Sequence, residues 1–277
     1  MKNIKIYLKK LFKIINKAEM KILPGQVAFF LLLSLIPSIT LFGIICSMFS
    51  VSTADIINLA SNVIPNSVFE LLEPFFNNPL NGTSMIIYFI IGFVLASNGP
   101  HSIILASNIL YGVEHKNYLE DRVKAFFLTI ILMFVFVFVL VVLAFGNIIL
   151  RTIFEFQIFS NISDYIYPLF VYLKWPIAFF LIYVALKLVY TITPDRKVLS
   201  RTVTKGALFT TMGWLFVTAI YSYYANNIAH YDLFYGSLSN IAILMMWIYI
   251  ISYIFVIGIA INSNSYKNLE ETVRDKE

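Results

Sequence analysis

Six long apolar stretches constrain this chain more than any other feature. They run at about 25–49, 84–110, 123–150, 168–192, 206–224 and 240–262. Each is close to the ~20 residues that cross a ~30 Å hydrocarbon layer as a helix. The pieces between them divide the basic residues unevenly. Residues 1–24 hold seven lysines, 111–124 three basic residues, 193–205 four and 263–277 three, whereas 50–83 and 225–239 hold none and 151–167 only Arg151. Short connections rich in Lys and Arg stay cytoplasmic. The pattern predicts six crossings of a membrane with both termini on the cytoplasmic side.

Composition closes off the alternatives. Only 13% of the residues are charged, against ~25% in soluble domains. In lipid every backbone polar group needs an internal partner, which leaves helices or closed barrels, and the runs lack the period-2 alternation of a barrel. The predicted fold class is all-α, one membrane domain over 1–277 with 263–277 as a cytoplasmic tail. The net charge of +5 is accounted for by topology, so no nucleic-acid partner is expected. The first stretch follows a lysine-rich start but is well beyond the ~7–15 residues of a cleavable signal core, so it reads as a retained span.

Before the first span, Ile4, Leu8, Leu11, Ile15, Ala18 and Ile22 recur at helical spacing while Lys2, Lys5, Lys9, Lys13 and Lys17 take other faces. This predicts an amphipathic helix over 1–22 lying among anionic lipid headgroups. Pro37, between Ser34 and Ser38, is expected to kink the first span. Within 50–83, the run after Pro65 reads as a short helix on the outer membrane surface.

The sharpest local feature lies inside the second stretch: Ser97-Asn98-Gly99-Pro100-His101. Pro favours the first turn of a helix, and Asn98 or Gly99 suits the cap before it. One helix should end near Ser97 and another begin near Pro100. A re-entrant hairpin would put the four basic residues of 193–205 outside, so a broken crossing is expected. Broken helices leave unpaired backbone groups and a positive helix end facing the interior, as at many transporter sites. Ser97, His101 and Asn108 would share a face if the helix ran on. A proline kink with self-satisfying polar groups is the other reading.

Lys187 lies a few residues short of the fourth span's cytoplasmic end. It is either a functional intramembrane charge or a lysine that snorkels to the headgroups. Between the last two spans, Asp232, Tyr235 and Gly236 fit an outer vestibule. Small residues at Gly92/Ala96, Ala207/Thr211 and Gly258/Asn262 suggest close helix contact. Nothing points to catalysis. The three histidines have no metal-ligand spacing, no phosphate-binding glycine loop occurs, and no cofactor is expected.

Several of these pieces occur together in a known order. Ala28-Phe29-Phe30-Leu31-Leu32-Leu33-Ser34-Leu35-Ile36-Pro37, Asn108-Ile109-Leu110-Tyr111-Gly112-Val113, Tyr190-Thr191-Ile192-Thr193-Pro194-Asp195-Arg196-Lys197-Val198, Lys205-Gly206-Ala207 and Tyr231-Asp232-Leu233-Phe234-Tyr235-Gly236-Ser237-Leu238 before Trp247 give a chain that resembles the YihY/BrkB family. The resemblance implies a six-span inner-membrane protein tied to envelope, lipid or transport roles, and a mistaken older label of ribonuclease BN. From the broken second stretch and the intramembrane Asn98, His101, Asn108 and Lys187 we expect transport of a small solute, ion or lipid, with a non-catalytic envelope scaffold or accessory subunit as the alternative and a membrane enzyme the least favoured reading.

Overall fold

The computed structural model describes residues 14–48, 83–113, 117–140, 160–227 and 235–274. The described residues are helical, with no strand among them. The helices are α1 (Glu19–Met48), α2 (Thr83–Ala96), α3 (Asn98–Tyr111), α4 (Tyr118–Leu140), α5 (Ser160–Ile192), α6 (Thr204–Asn227) and α7 (Ser239–Arg274). A single 3-10 turn, Gly236–Leu238, precedes α7. Among the described residues, two stretches are long and apolar enough to cross a membrane, Phe89–Tyr111 and Ile241–Lys267.

The helices form a closed ring. α1 packs on α2 and α3, α3 on α4, α4 on α5, α5 on α6, α6 on α7, and α7 returns to α1. α3 is the most enclosed for its length, since ten of its 14 residues are buried, from Gly99 to Tyr111. α2, by contrast, turns Ile86, Ile87, Phe89, Ile90 and Ile91 outward. A helix apolar on its outer face is what a lipid surround permits and water does not.

Small residues set the closest approaches. A Cβ on Gly258 of α7 would collide with Thr210 Oγ1 of α6 and the Tyr190 hydroxyl of α5, and one on Gly206 would collide with Asn262 Oδ1 and the Gly258 carbonyl. Asn262 Oδ1 accepts the Gly206 N–H at 2.8 Å, so a side chain of α7 satisfies one of the unpaired amides at the start of α6. Tyr190 is 1% exposed. Its hydroxyl donates to the Phe255 carbonyl at 2.9 Å and lies 2.7 Å from Thr210 Oγ1. The expected small face at Gly258/Asn262 is therefore a three-helix junction, whereas Gly92 has only ordinary contact with Leu41.

Some boundaries differ from the sequence reading. α7 runs on to Arg274, well past the expected end at 262, because the polar residues there find partners. Asn262 caps α6, Ser263 donates to the Leu110 carbonyl at 2.7 Å, and Ser265 to Ile261 at 3.0 Å. Asn262 is fully buried. α1 continues through both Pro24 and Pro37, with Ser34 and Ser38 hydroxyls bonded to the Leu31 and Ser34 carbonyls. Most of the expected helix over 1–22 lies outside the described residues. Its last part is interrupted by a turn at residues 16–18, and residues from Glu19 onward belong to α1. The outer-surface helix in 50–83 also lies outside them.

Candidate functional site

The interruption in the second stretch is one residue wide. α2 ends at Ala96 and α3 begins at Asn98, while Ser97 keeps right-handed helical angles (φ −71, ψ −8). Backbone bonds from Ser97 to Phe93 at 3.1 Å and from His101 to Ser97 at 3.0 Å bridge the gap. Pro100 has no N–H to offer Ala96, which is where the ladder fails. The expected cap at Asn98 or Gly99 does not form. The cap position falls to Ser97, whose hydroxyl turns back to the Val94 carbonyl at 2.7 Å.

Both halves follow α1 in one antiparallel register. Gly92 faces Leu41, and a Cβ on Gly99 would meet Ser34 Oγ at 2.5 Å; the two contacts are seven residues apart on each helix. A hairpin would reverse this register, so the segment continues in one direction through the break.

Arg122 of α4 secures the joint. Its Nη1 donates to Asn98 Oδ1 at 2.9 Å and its Nη2 to the Val94 carbonyl at 3.0 Å. A planar guanidinium can serve both groups at once, and its charge suits the carbonyl end of α2. Its Cζ also lies 5.5 Å from the Phe126 ring centroid. His101 packs edge-on against Tyr118, ring centroids 5.6 Å apart. Ser97 is fully buried. The break thus rests against the first two turns of α4, not halfway along it.

Asn108 belongs to a second cluster. It exchanges hydrogen bonds with Asp195: its Nδ2 donates to the Asp195 carboxylate, and its Oδ1 accepts the Asp195 N–H at 2.8 Å. Lys124 completes the cluster, donating to Asp195 Oδ1 at 2.5 Å and to the Thr193 and Pro194 carbonyls at 2.8 and 3.0 Å. The ammonium therefore sits on the carbonyl end of α5, where a cation is favoured. Ser107 Oγ donates to Thr193 Oγ1 at 2.9 Å within the same buried knot.

Burial would raise the Asp195 pKa, but hydrogen bonding with Lys124, Asp121 and Asn108 and the Lys124 charge outweigh it. The carboxyl is held below the ordinary value of 3.8. Just after Asn108 the helix closes in a Schellman motif. Gly112 has φ +68, its N–H reaches the Ile109 carbonyl and the Val113 N–H reaches Asn108.

The structure thus gathers Ser97, Asn98, Gly99, Pro100 and His101 at one joint and takes Asn108 to another. Lys187 joins neither. Its ammonium lies 6.0 Å from the Tyr183 ring centroid, one turn back along α5. Tyr235 and Gly236 are exposed beside the start of α7, with Gly236 at φ +52, and Asp232 lies outside the described residues. Sequence reasoning missed Arg122, Lys124 and Asp195 as site residues, because their charges had already been counted as topology signals. One signal was available: Asp195 is the lone acid in a loop with four basic residues.

Among the described residues no group of three His, Cys, Asp or Glu side chains could hold a metal ion.

Comparison with known families decides the kinship. The family described as virulence factor BrkB matches residues 11–277. This chain belongs to the BrkB family. A Bacillus subtilis (strain 168) relative named a ribonuclease-like protein, YfkH, is 29% identical over 94% of this chain and 95% of its own length. A UPF0761 membrane protein of Alteromonas mediterranea is 32% identical over 26% of this chain and 24% of its own. No solved structure matches. With these relatives and the two long apolar stretches among its described residues, this BrkB-family chain is an integral membrane protein.

Proposed function

We propose that this protein is a six-crossing protein of the bacterial inner membrane, with both termini cytoplasmic, that moves a small solute, ion or lipid. One observation carries the reading: the Ser97 joint is held by a side chain of a neighbouring helix. Arg122 supplies bonds that the α2–α3 backbone does not make for itself. Withdrawing that guanidinium leaves the joint to the Ser97 and His101 backbone bonds, which loosens α2 against α3. Interrupted helices form the substrate and ion sites of many transporters.

The same reading gives the chain no catalytic role, no cofactor and no nucleic-acid partner. YfkH bears a ribonuclease-like name, but the basic connections here, 111–124 and 193–205, are far below the ~50 residues of a folded domain. Anionic lipid at the lysine-rich N-terminal segment is part of the proposal.

Thiol labelling tests it. With Cys46, the one native cysteine, replaced by serine, Ser97→Cys, Asn98→Cys and His101→Cys are exposed in membrane vesicles to a water-soluble, membrane-impermeant maleimide. Transport through the bundle requires at least one of them to react from the aqueous phase. If none reacts in either vesicle orientation while Lys197→Cys does, the transport reading fails. Reporter fusions after residues 115, 160, 200 and 230 check the crossings.

A second reading, an envelope scaffold or accessory subunit, draws on a different observation: Ser97 and Asn108 are buried and hydrogen-bonded, as in a joint that never opens. A stoichiometric partner in a pull-down, with a fully functional His101→Ala variant, would favour it.

A further inference from the structure

A groove of about 480 Å³ runs along the outer side of α4 toward the end of α5. Its α4 wall is a single stripe: Leu119, Val123, Phe127 and Ile131 recur every fourth residue. Twelve residues separate the ends of that stripe, about 18 Å of helix at 1.5 Å per residue. Ile192 closes the far side. The groove is therefore long, shallow and apolar, open along its outer side.

Only its mouth is charged. Glu120 and Lys124 lie there, but the two differ in what they offer. The Lys124 ammonium is spent on Asp195 and on the Thr193 and Pro194 carbonyls. Glu120 is exposed and has no ion-pair partner among the described residues. The mouth presents a net negative charge to whatever fills the groove.

We propose that this groove holds one acyl chain of a phospholipid whose headgroup carries an amine, the ammonium pairing with Glu120. An amphiphile lying with its chain along Val123, Phe127 and Ile131 puts its headgroup at the first turn of α4, where the carboxylate is. The site rests on α4 lying in the membrane, and it is independent of whether the Ser97 joint opens.

Native mass spectrometry of the full chain in detergent tests it, with added phosphatidylethanolamine or phosphatidylglycerol of identical chains. Wild type should retain one phosphatidylethanolamine about three- to fivefold more than phosphatidylglycerol, the effect of one part-exposed ion pair. Glu120→Gln should abolish that preference. Val123→Trp should displace both lipids, and since both positions are exposed, neither change should disturb the fold. Equal retention of the two lipids by wild type, a preference that survives Glu120→Gln, or lipid that survives Val123→Trp would each overturn the proposal. The thiol-labelling result bears on transport alone, so either idea can fail without the other.

Discussion

Lys124 and Asp195 should be thermodynamically coupled by about 2 kcal/mol, and a double-mutant cycle measures this directly. Their side chains are 22% and 24% exposed. Exposed ion pairs contribute about 0–1 kcal/mol, while breaking a fully buried pair costs about 3–5 kcal/mol. A pair three-quarters buried falls between. Asp195→Asn keeps the shape and can still accept from Lys124, so it should cost about 2 kcal/mol. Lys124→Met should cost about 3 kcal/mol, because it also strands the Thr193 and Pro194 carbonyls. The double variant should cost clearly less than the sum. At roughly 2–4 °C per kcal/mol, Asp195→Asn should lower Tm by about 4–8 °C in detergent at pH 7.

The pH dependence has a definite sign. The Asp195 carboxyl titrates below 3.8 when folded, so its contribution is complete above about pH 4 and is lost as pH falls through the lower folded-state value. The Tm gap between wild type and Asp195→Asn should be flat from pH 5 to pH 8. A coupling energy below about 0.5 kcal/mol would refute the pairing argument. A gap that closes between pH 8 and pH 5 would mean a raised carboxyl pKa and would overturn the electrostatic account.

Other changes give equally clear signs. Gly258→Ala should lower Tm by several degrees, because the new Cβ meets Thr210 and Tyr190; an uncrowded mid-helix glycine would gain about 1 kcal/mol from the same change. Arg122→Lys should recover at most about half of the stability lost in Arg122→Ala, measured by thermal unfolding, since an ammonium cannot fork between Asn98 and Val94. Gly112→Ala should cost about 1 kcal/mol by the same assay, because the site needs φ +68.

What could be read from the sequence followed from local chemistry. The break between Ala96 and Asn98 was visible because Pro100 cannot donate a hydrogen bond, whatever surrounds it. The Gly258/Asn262 face was visible because small residues four apart imply close packing. Partner choice was not visible in the same way. Nothing in the local sequence says that Asn98 will accept from Arg122 instead of capping α3, or that Asn108 will bind Asp195 while His101, on the same face of α3, packs on Tyr118. Those outcomes depend on how α4 lies against α3 and where α5 ends, which are long-range facts.

The two joints also share an origin that neither shows alone. Arg122 and Lys124 are two residues apart, so they leave α4 on nearly opposite sides. One holds the start of α3 through Asn98. The other reaches the end of α3 through Asp195 and Asn108. Both ends of a helix about 15 Å apart are therefore tied to a single turn of α4, and α3 must run obliquely across the foot of that helix. A shift of α4 would load both joints together. If the protein moves as proposed, Arg122→Ala and Asp195→Asn should perturb thiol accessibility at Ser97→Cys in a correlated way, whereas independent effects would mean that the two clusters are separate structural fastenings.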